Sequence, residues 1–366
     1  MKKILAMILA LVLMLSVLTA CGGKTEPTTT TNNPGTSEGA NTDPVDDGKV
    51  YTINIDYPNP ENSAIYPALV QWAEYVNEKS NGRIDARIYS GGALGSLFDC
   101  VSNCEAGVTD GFWSGVTIYA GVFPATEVLG LPMLGSDSQY VTNAVMNALI
   151  TETELFAKDW ENFHVVALHS APTSPIIVST EIAGLDDLRG LDLRISNAYT
   201  TDWFSQLGIN PTSSGINDGY ENIQKGVIKG GLYFFDQVQS SALYEVISSL
   251  YLGETISPLT MFCLNKDVYE GLPADLQAII DESGEYFLSL TPDIYNAQQE
   301  EMLKKCEEYG VTVVYETPET RAALMEAAQG SWVKWVEQMN SNGLDGQAIL
   351  DTAREYIEKY NEIYAD

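Results

Sequence analysis

"YTINIDYPNPENSAIYPALVQWAEYVNEKSNGRIDARIYS", residues Tyr51 to Ser90, holds a complete strand–helix–strand unit. Tyr51 to Tyr57 alternates in the manner of a strand, and Pro58-Asn59-Pro60 breaks it. From Ser63 to Asn81, Ile65, Leu69, Trp72 and Val76 recur at helical spacing, and Gly82 ends the helix. Arg83 to Ser90 is a second strand, closed by Gly91-Gly92. Strands alternating with helices argue for parallel α/β units.

The alternation continues downstream. Leu97 to Ala106 reads as a helix and Thr109 to Gly115 as a short buried strand. Asp137 to Trp160 is helical, Phe163 to Ser170 is a strand, and Asp187 to Ser196 turns into another. Ala198 to Leu207 and Gly219 to Gly226 read as helices, Gly231 to Phe235 as a strand and Ser240 to Val246 as a helix. Leu259 to Lys266 is a strong strand, followed by a long helical stretch, Asp275 to Glu308, with a break expected near Pro292. Val311 to Glu316 is the last strand, and Arg321 to Asn340 and Gly346 to Tyr364 are amphipathic helices. Val50 to Asp366 is long enough for two domains.

Upstream, Lys2 and Lys3 precede an apolar run from Ile4 to Leu18 and then Leu18-Thr19-Ala20-Cys21. A basic start, an apolar stretch and small residues make an export signal, and the run is shorter than the ~20 residues that span a bilayer. The cysteine after the small residues resembles a bacterial lipobox, so residues 1–21 are expected to be a lipoprotein signal peptide, with Cys21 the lipidated N-terminus. Residues 22–49 are mostly Thr, Asn, Pro, Gly, Ser and acids, and they should form a disordered tether with a reach of roughly 30 Å. The chain is therefore expected outside the cytoplasm, held to the membrane through lipid on Cys21.

A net charge of −31 argues against nucleic acid and anionic lipid as partners. It leaves room for an anionic ligand, since one buried Arg can hold an anion inside an acidic protein. Cys100, Cys104, Cys263 and Cys306 are too few for a disulfide scaffold. With His164 and His169 the only histidines, a structural zinc site is not expected. No Gly-x-Ser-x-Gly, His-Glu-x-x-His or Gly-x-x-x-x-Gly-Lys run is present, and His164 and His169, five apart on one strand, point to opposite faces. No enzyme, metal or cofactor is expected. An anchor, a tether and two α/β lobes suggest a receptor for small solutes.

Six stretches, in order, resemble the solute receptors of tripartite ATP-independent periplasmic (TRAP) transporters. "GGALGS" (Gly91 to Ser96) with "CEAGVTDGFWSG" (Cys104 to Gly115) resembles the family's Gly-x-Leu-Gly turn and the step after it. "GVFPATEVLGLPML" (Gly121 to Leu134), "LDDLRGLDLRIS" (Leu185 to Ser196) and "LGINPT" (Leu207 to Thr212) are similar to further family segments, as are "GYENIQKGVIKGG" (Gly219 to Gly231) and "SPLTMFCLNKDVYEGLPADLQAII" (Ser257 to Ile280). The resemblance implies a two-lobe α/β fold like that of periplasmic binding proteins, with a hinge and a long connecting helix. Lobe I would comprise 50–169 and 257–300, and lobe II 170–256 and 301–366. It further implies a monomer that captures a small-molecule carboxylate by lobe closure and delivers it to TRAP membrane subunits. An ABC-type solute receptor would follow the same two-lobe logic.

The resemblance places an Arg on the ligand carboxylate at Arg194, where two parallel N–H donors match a carboxylate. Asp186, Asp187 or Asp192 could instead engage it. Trp113 and Ser114, Ile216, and Tyr57 at the end of the first strand are the other ligand-facing candidates. The family's Asp-Gly-x-Glu-Asn-Pro run is Lys229-Gly230-Gly231-Leu232-Tyr233-Phe234 here, and "HSAPTSPIIVST" (His169 to Thr180) lacks the second Arg that many relatives carry. With one Arg, and with Tyr233 and Phe234 where polar groups usually stand, the pocket should suit an apolar or aromatic monocarboxylate.

Overall fold

A computed structural model describes residues 48–136, 138–195, 198–215 and 218–364. Cys21 and Ile216 lie outside the described residues, as does nearly all of the tether. The strands form two sheets. The first runs β2 (Ile84–Tyr89), β1 (Tyr51–Asp56), β3 (Gly111–Gly115), β10 (Leu259–Asn265), β4 (Phe163–Ser170). The second runs β11 (Thr312–Tyr315), β9 (Ser249–Leu252), β5 (Ile176–Val178), β8 (Gly230–Leu232), β6 (Asp192–Arg194), β7 (Asn210–Thr212). In each sheet one strand runs against its neighbours: β10 in the first and β5 in the second. These are the strands by which the chain enters one sheet directly from the other, so their reversal follows from the crossing.

Eleven helices are described: α1 (Tyr66–Lys79), α2 (Cys100–Glu105), α3 (Gln139–Glu152), α4 (Glu154–Ala157), α5 (Ala198–Gln206), α6 (Gly219–Gln224), α7 (Phe235–Ser240), α8 (Lys266–Glu270), α9 (Ala274–Glu308), α10 (Pro318–Ser341) and α11 (Gly346–Ile363). Strand alternation divides the core. On β3 Phe112 packs into one cluster and Trp113 into another, and on β10 Met261 and Cys263 separate likewise from Phe262 and Leu264. The second sheet carries its own pair of clusters, with Ile176 and Val178 on one side and Ile177 on the other.

The two bodies are joined by an antiparallel ribbon. Leu259 pairs with Ser170, Ala171 N–H donates to Pro258 O (3.1 Å), and Ser174 N–H donates to Ile256 O (3.0 Å). Helix α9 spans both bodies: Leu276, Ile280, Phe287 and Tyr295 pack in the first, Met302 and Cys306 in the second. Trp72 on α1 fixes it by donating to Ser283 Oγ at 2.7 Å. No break occurs at Pro292, because Thr291 Oγ1 donates to Leu288 O at 3.3 Å. That carbonyl is the one a residue-292 N–H would have used.

Several elements differ from expectation. Strands β5, β7 and β9, of three or four residues, are additional. The strand expected to run to Phe235 stops at Leu232, and the helix expected from Ser240 begins at Phe235. Gln237 Oε1 accepts from the Phe234 N–H at 3.2 Å there, and Asp236 sits in the first turn, where a carboxylate is favourable. The end of the chain is also shared: Leu324 and Ala328 pack in the second body, but Trp335, Val336 and Met339 of α10 and Ile349, Leu350 and Ala353 of α11 pack in the first. The apolar face of α11 thus covers α3, while α10 packs on both α5 and α11.

Candidate functional site

Candidate residues of both bodies sit where strands end. Asp56 and Tyr57 close β1, Trp113 and Ser114 sit near the end of β3, His169 and Ser170 end β4, Arg194 ends β6 and Leu232 ends β8. Carboxyl ends of strands are where open α/β sheets take ligands.

Arg194 is 7% exposed. Its Nε donates to Ser214 O (3.1 Å) and its Nη1 to Leu232 O (2.9 Å), while the guanidinium lies 4.9 Å above the Tyr233 ring. Of five N–H donors, these bonds use two. No carboxylate completes the rest among the described residues. Asp186 pairs with Arg189 (3.0 Å), Asp187 accepts from Ala183 N–H (2.7 Å), and Asp192 accepts from Asn210 Nδ2 (3.1 Å). Burial pulls the Arg194 pKa below its usual value, opposed by Tyr233, yet a guanidinium stays charged. Gly231 makes this placement possible: a Cβ there would lie 2.6 Å from both Cβ and O of Arg194.

Tyr233 and Phe234 take different roles. Tyr233 is 1% exposed and packs with Ile177 and Val238, under the guanidinium. Phe234 is half-buried and belongs to none of the four hydrophobic clusters.

The other candidates belong to the first body. Tyr57 is buried, with its hydroxyl bonded to Ser63 Oγ, and its ring lies 5.3 Å from that of Trp113. Trp113 Nε1 donates to His169 Nε2 at 2.8 Å. The indole N–H is therefore engaged inside the protein, and the proton of His169 rests on Nδ1. His169 is wholly buried, and burial pushes its pKa down to about 3. Its ring lies 6.0 Å from Tyr295 of α9. Ser114 points the other way, sharing a 3.0 Å hydrogen bond with Tyr119 OH.

The segment Leu232–Asp236 connects the two bodies. It carries the carbonyl that holds Arg194 and, four residues on, Asp236, whose Oδ1 accepts from Ala64 N–H (3.4 Å) and from Gln298 Nε2 (2.9 Å). A further contact between the bodies runs from Tyr199 OH to Glu127 Oε2 (3.2 Å). Buried polar side-chain atoms without a hydrogen-bond partner of ordinary geometry among the described residues include both oxygens of Asp56, His169 Nδ1, Ser174 Oγ and Tyr233 OH. Sequence reading missed Asp56, His169, Tyr295 and Asp236. Asp56 beside Tyr57 was the one visible signal, an acid at the end of an apolar strand.

Among the described residues no group of three or more His, Cys, Asp and Glu could hold a metal ion, and no helix is long and apolar enough to cross a membrane. All four described cysteines are buried free thiols.

The model of bacterial extracellular solute-binding proteins, family 7, matches residues 56–338. A solute-binding protein of Sulfitobacter sp. (strain NAS-14.1) is 28% identical over 233 residues, which is 62% of this chain and 69% of that one. Among solved structures, a marine-metagenome TRAP solute-binding protein specific for aromatic acids, in complex with metahydroxyphenylacetate, superposes with a TM-score of 0.77. It is 24% identical and covers 86% of this chain and 100% of its own. A TRAP solute-binding protein of Rhodoferax ferrireducens with copurified benzoate gives 0.75 at 24% identity, covering 85% and 99%. One from Sulfitobacter sp. with bound β-D-galacturonate gives 0.69 at 19% identity, covering 83% and 99%. These likenesses show the fold, and the matched model leads to one conclusion: the chain belongs to the bacterial extracellular solute-binding proteins of family 7, a family of receptors rather than enzymes.

Proposed function

We propose that this chain captures an apolar or aromatic monocarboxylate between its two bodies and hands it to TRAP membrane subunits, working as a monomer tethered by lipid on Cys21. The observation that carries the reading is Arg194: a buried guanidinium with donors to spare, no acidic partner among the described residues, and a place at the carboxyl end of its strand. A carboxylate supplies what that group lacks. The apolar body of the ligand would lie against Phe234 and the Tyr57–Trp113 wall, with Ile216 close by in sequence.

The lack of Arg from His169 to Thr180 favours one carboxylate over two. The benzoate and metahydroxyphenylacetate complexes of the related fold agree with an aromatic acid, whereas the galacturonate complex keeps uronates as the competing class. In such a site each unpaired polar group of a sugar acid costs ~1–3 kcal/mol. Thermal shifts followed by calorimetry with benzoate, phenylacetate, succinate and galacturonate decide the matter. The aromatic monocarboxylates should bind tightest, and a tighter succinate or galacturonate overturns the ligand class. For the anchor, Cys21→Ala should move the protein from the membrane fraction to the soluble one; unchanged membrane retention would refute lipidation there.

A further inference from the structure

Asp56 ends β1 and is fully buried, and among the described residues its carboxylate oxygens meet no donor stronger than the nearby Cys100 thiol. It lies beneath the Gly91–Ser96 turn: a methyl group added to Gly95 would sit 3.7 Å from Oδ2. The Cys100 thiol, a weak donor, is shared between Asp56 and Ser96 O (3.6 Å). Ser114 Oγ and Tyr119 OH share a hydrogen bond, and Tyr119 OH donates on to Leu97 O (2.5 Å). Asp99, a like charge, already accepts from the Ser96 hydroxyl at 2.6 Å. Burial raises the Asp56 pKa, with the nearby Cys100 thiol opposing and Asp99 adding to the rise.

A carboxyl group kept dry with only a thiol beside it is costly, and so poorly satisfied a group calls for an explanation. We infer that Asp56 is a specificity-determining residue that accepts a hydrogen bond from a hydroxyl or ammonium group on the end of the ligand remote from its carboxylate. The inference deepens the proposed function and rests on it. Arg194 holds the carboxylate from the second body and Asp56 holds the donor from the first. A ligand that spans both binds the closed form better than the open one, which is the differential affinity that closure requires. An acid without such a donor engages Arg194 alone.

The test is calorimetry on the purified mature chain with benzoate, phenylacetate and 3-phenylpropionate, each plain and with a ring hydroxyl or aminomethyl group at each position. The tightest acid should carry the donor and bind at least about tenfold better than its plain counterpart, about 1.4 kcal/mol. Asp56→Ala should level the two. Asp56→Asn, whose amide oxygen still accepts, should keep the preference if the donor is a hydroxyl and lose it if it is an ammonium. The preference of the parent protein tests the inference without any variant. Acids that bind with no preference for the donor overturn the role of Asp56 alone, as does a preference that survives in Asp56→Ala. Failure of every acid to bind overturns the carboxylate reading and the inference together.

Discussion

Arg194 is poised by its neighbours rather than by a counter-charge. Two backbone carbonyls orient the fork, the Tyr233 ring supports it, and Gly231 lets the strand carrying it lie close. Arg194→Lys keeps a charge but loses the planar pair of donors. Carboxylate affinity should fall by about 2 kcal/mol, roughly thirtyfold, in a calorimetric titration, with little change in melting temperature. Gly231→Ala acts on the same group through packing, since the new methyl meets Arg194 at 2.6 Å. It should cost about 1–3 kcal/mol of stability and weaken carboxylate binding as well, both measurable on one purified variant.

Helices and strands show why some of the fold was legible and some was not. The β1–α1–β2 unit, β10 and α9 were readable because their periodic signals run over many residues. Strands β5, β7 and β9 are too short for any period to show. The apolar run Leu232 to Phe235 reads equally as strand or buried helix, and the cap that starts α7 at Phe235 depends on Gln237, beyond the run. Of the candidate site residues, Arg194 stood out through its motif, whereas the place of Tyr233 as a core ring did not. The engagement of the Trp113 N–H by His169, 56 positions away, is contact information that no local pattern holds. The long helix carries its own test. A Cβ on Gly284 would lie 2.2 Å from Val166 O, so Gly284→Ala should pry α9 from β4 and destabilise by about 1–3 kcal/mol, seen as a lowered denaturation midpoint. An unchanged midpoint would mean that α9 shifts freely along the first body.

At the scale of the whole molecule, the joints between the bodies and the buried charges decide the behaviour. A ribbon with two crossings and two spanning helices permits rotation of one body on the other, and the contacts of Asp236 with Ala64 and of Tyr199 with Glu127 tie them together. Buried acids make stability depend on pH. Burial raises the pKa of Asp159 to about 6, against the bonds it accepts from Thr126, and raises those of Asp56 and Glu127 too. For Asp159 the ionised form is the disfavoured one. Its cost is fully present above pH 6 and disappears as pH falls from 6 toward 3.8, so stability rises on acidification through that window. His169, held neutral by burial, acts in the opposite direction below pH 6.5, so scanning calorimetry should show the parent's melting temperature gaining more, or losing less, between neutral pH and pH 5 than that of Asp159→Asn; equal slopes would contradict the assignment.

The most direct test of the receptor account is a thermal-shift screen of organic acids, covering aromatic and aliphatic monocarboxylates, dicarboxylates and uronates, on the parent and on Arg194→Ala in parallel. The account predicts that at least one acid raises the melting temperature of the parent by several degrees and leaves the variant unmoved. An acid that stabilises both proteins equally would show that Arg194 does not hold the carboxylate.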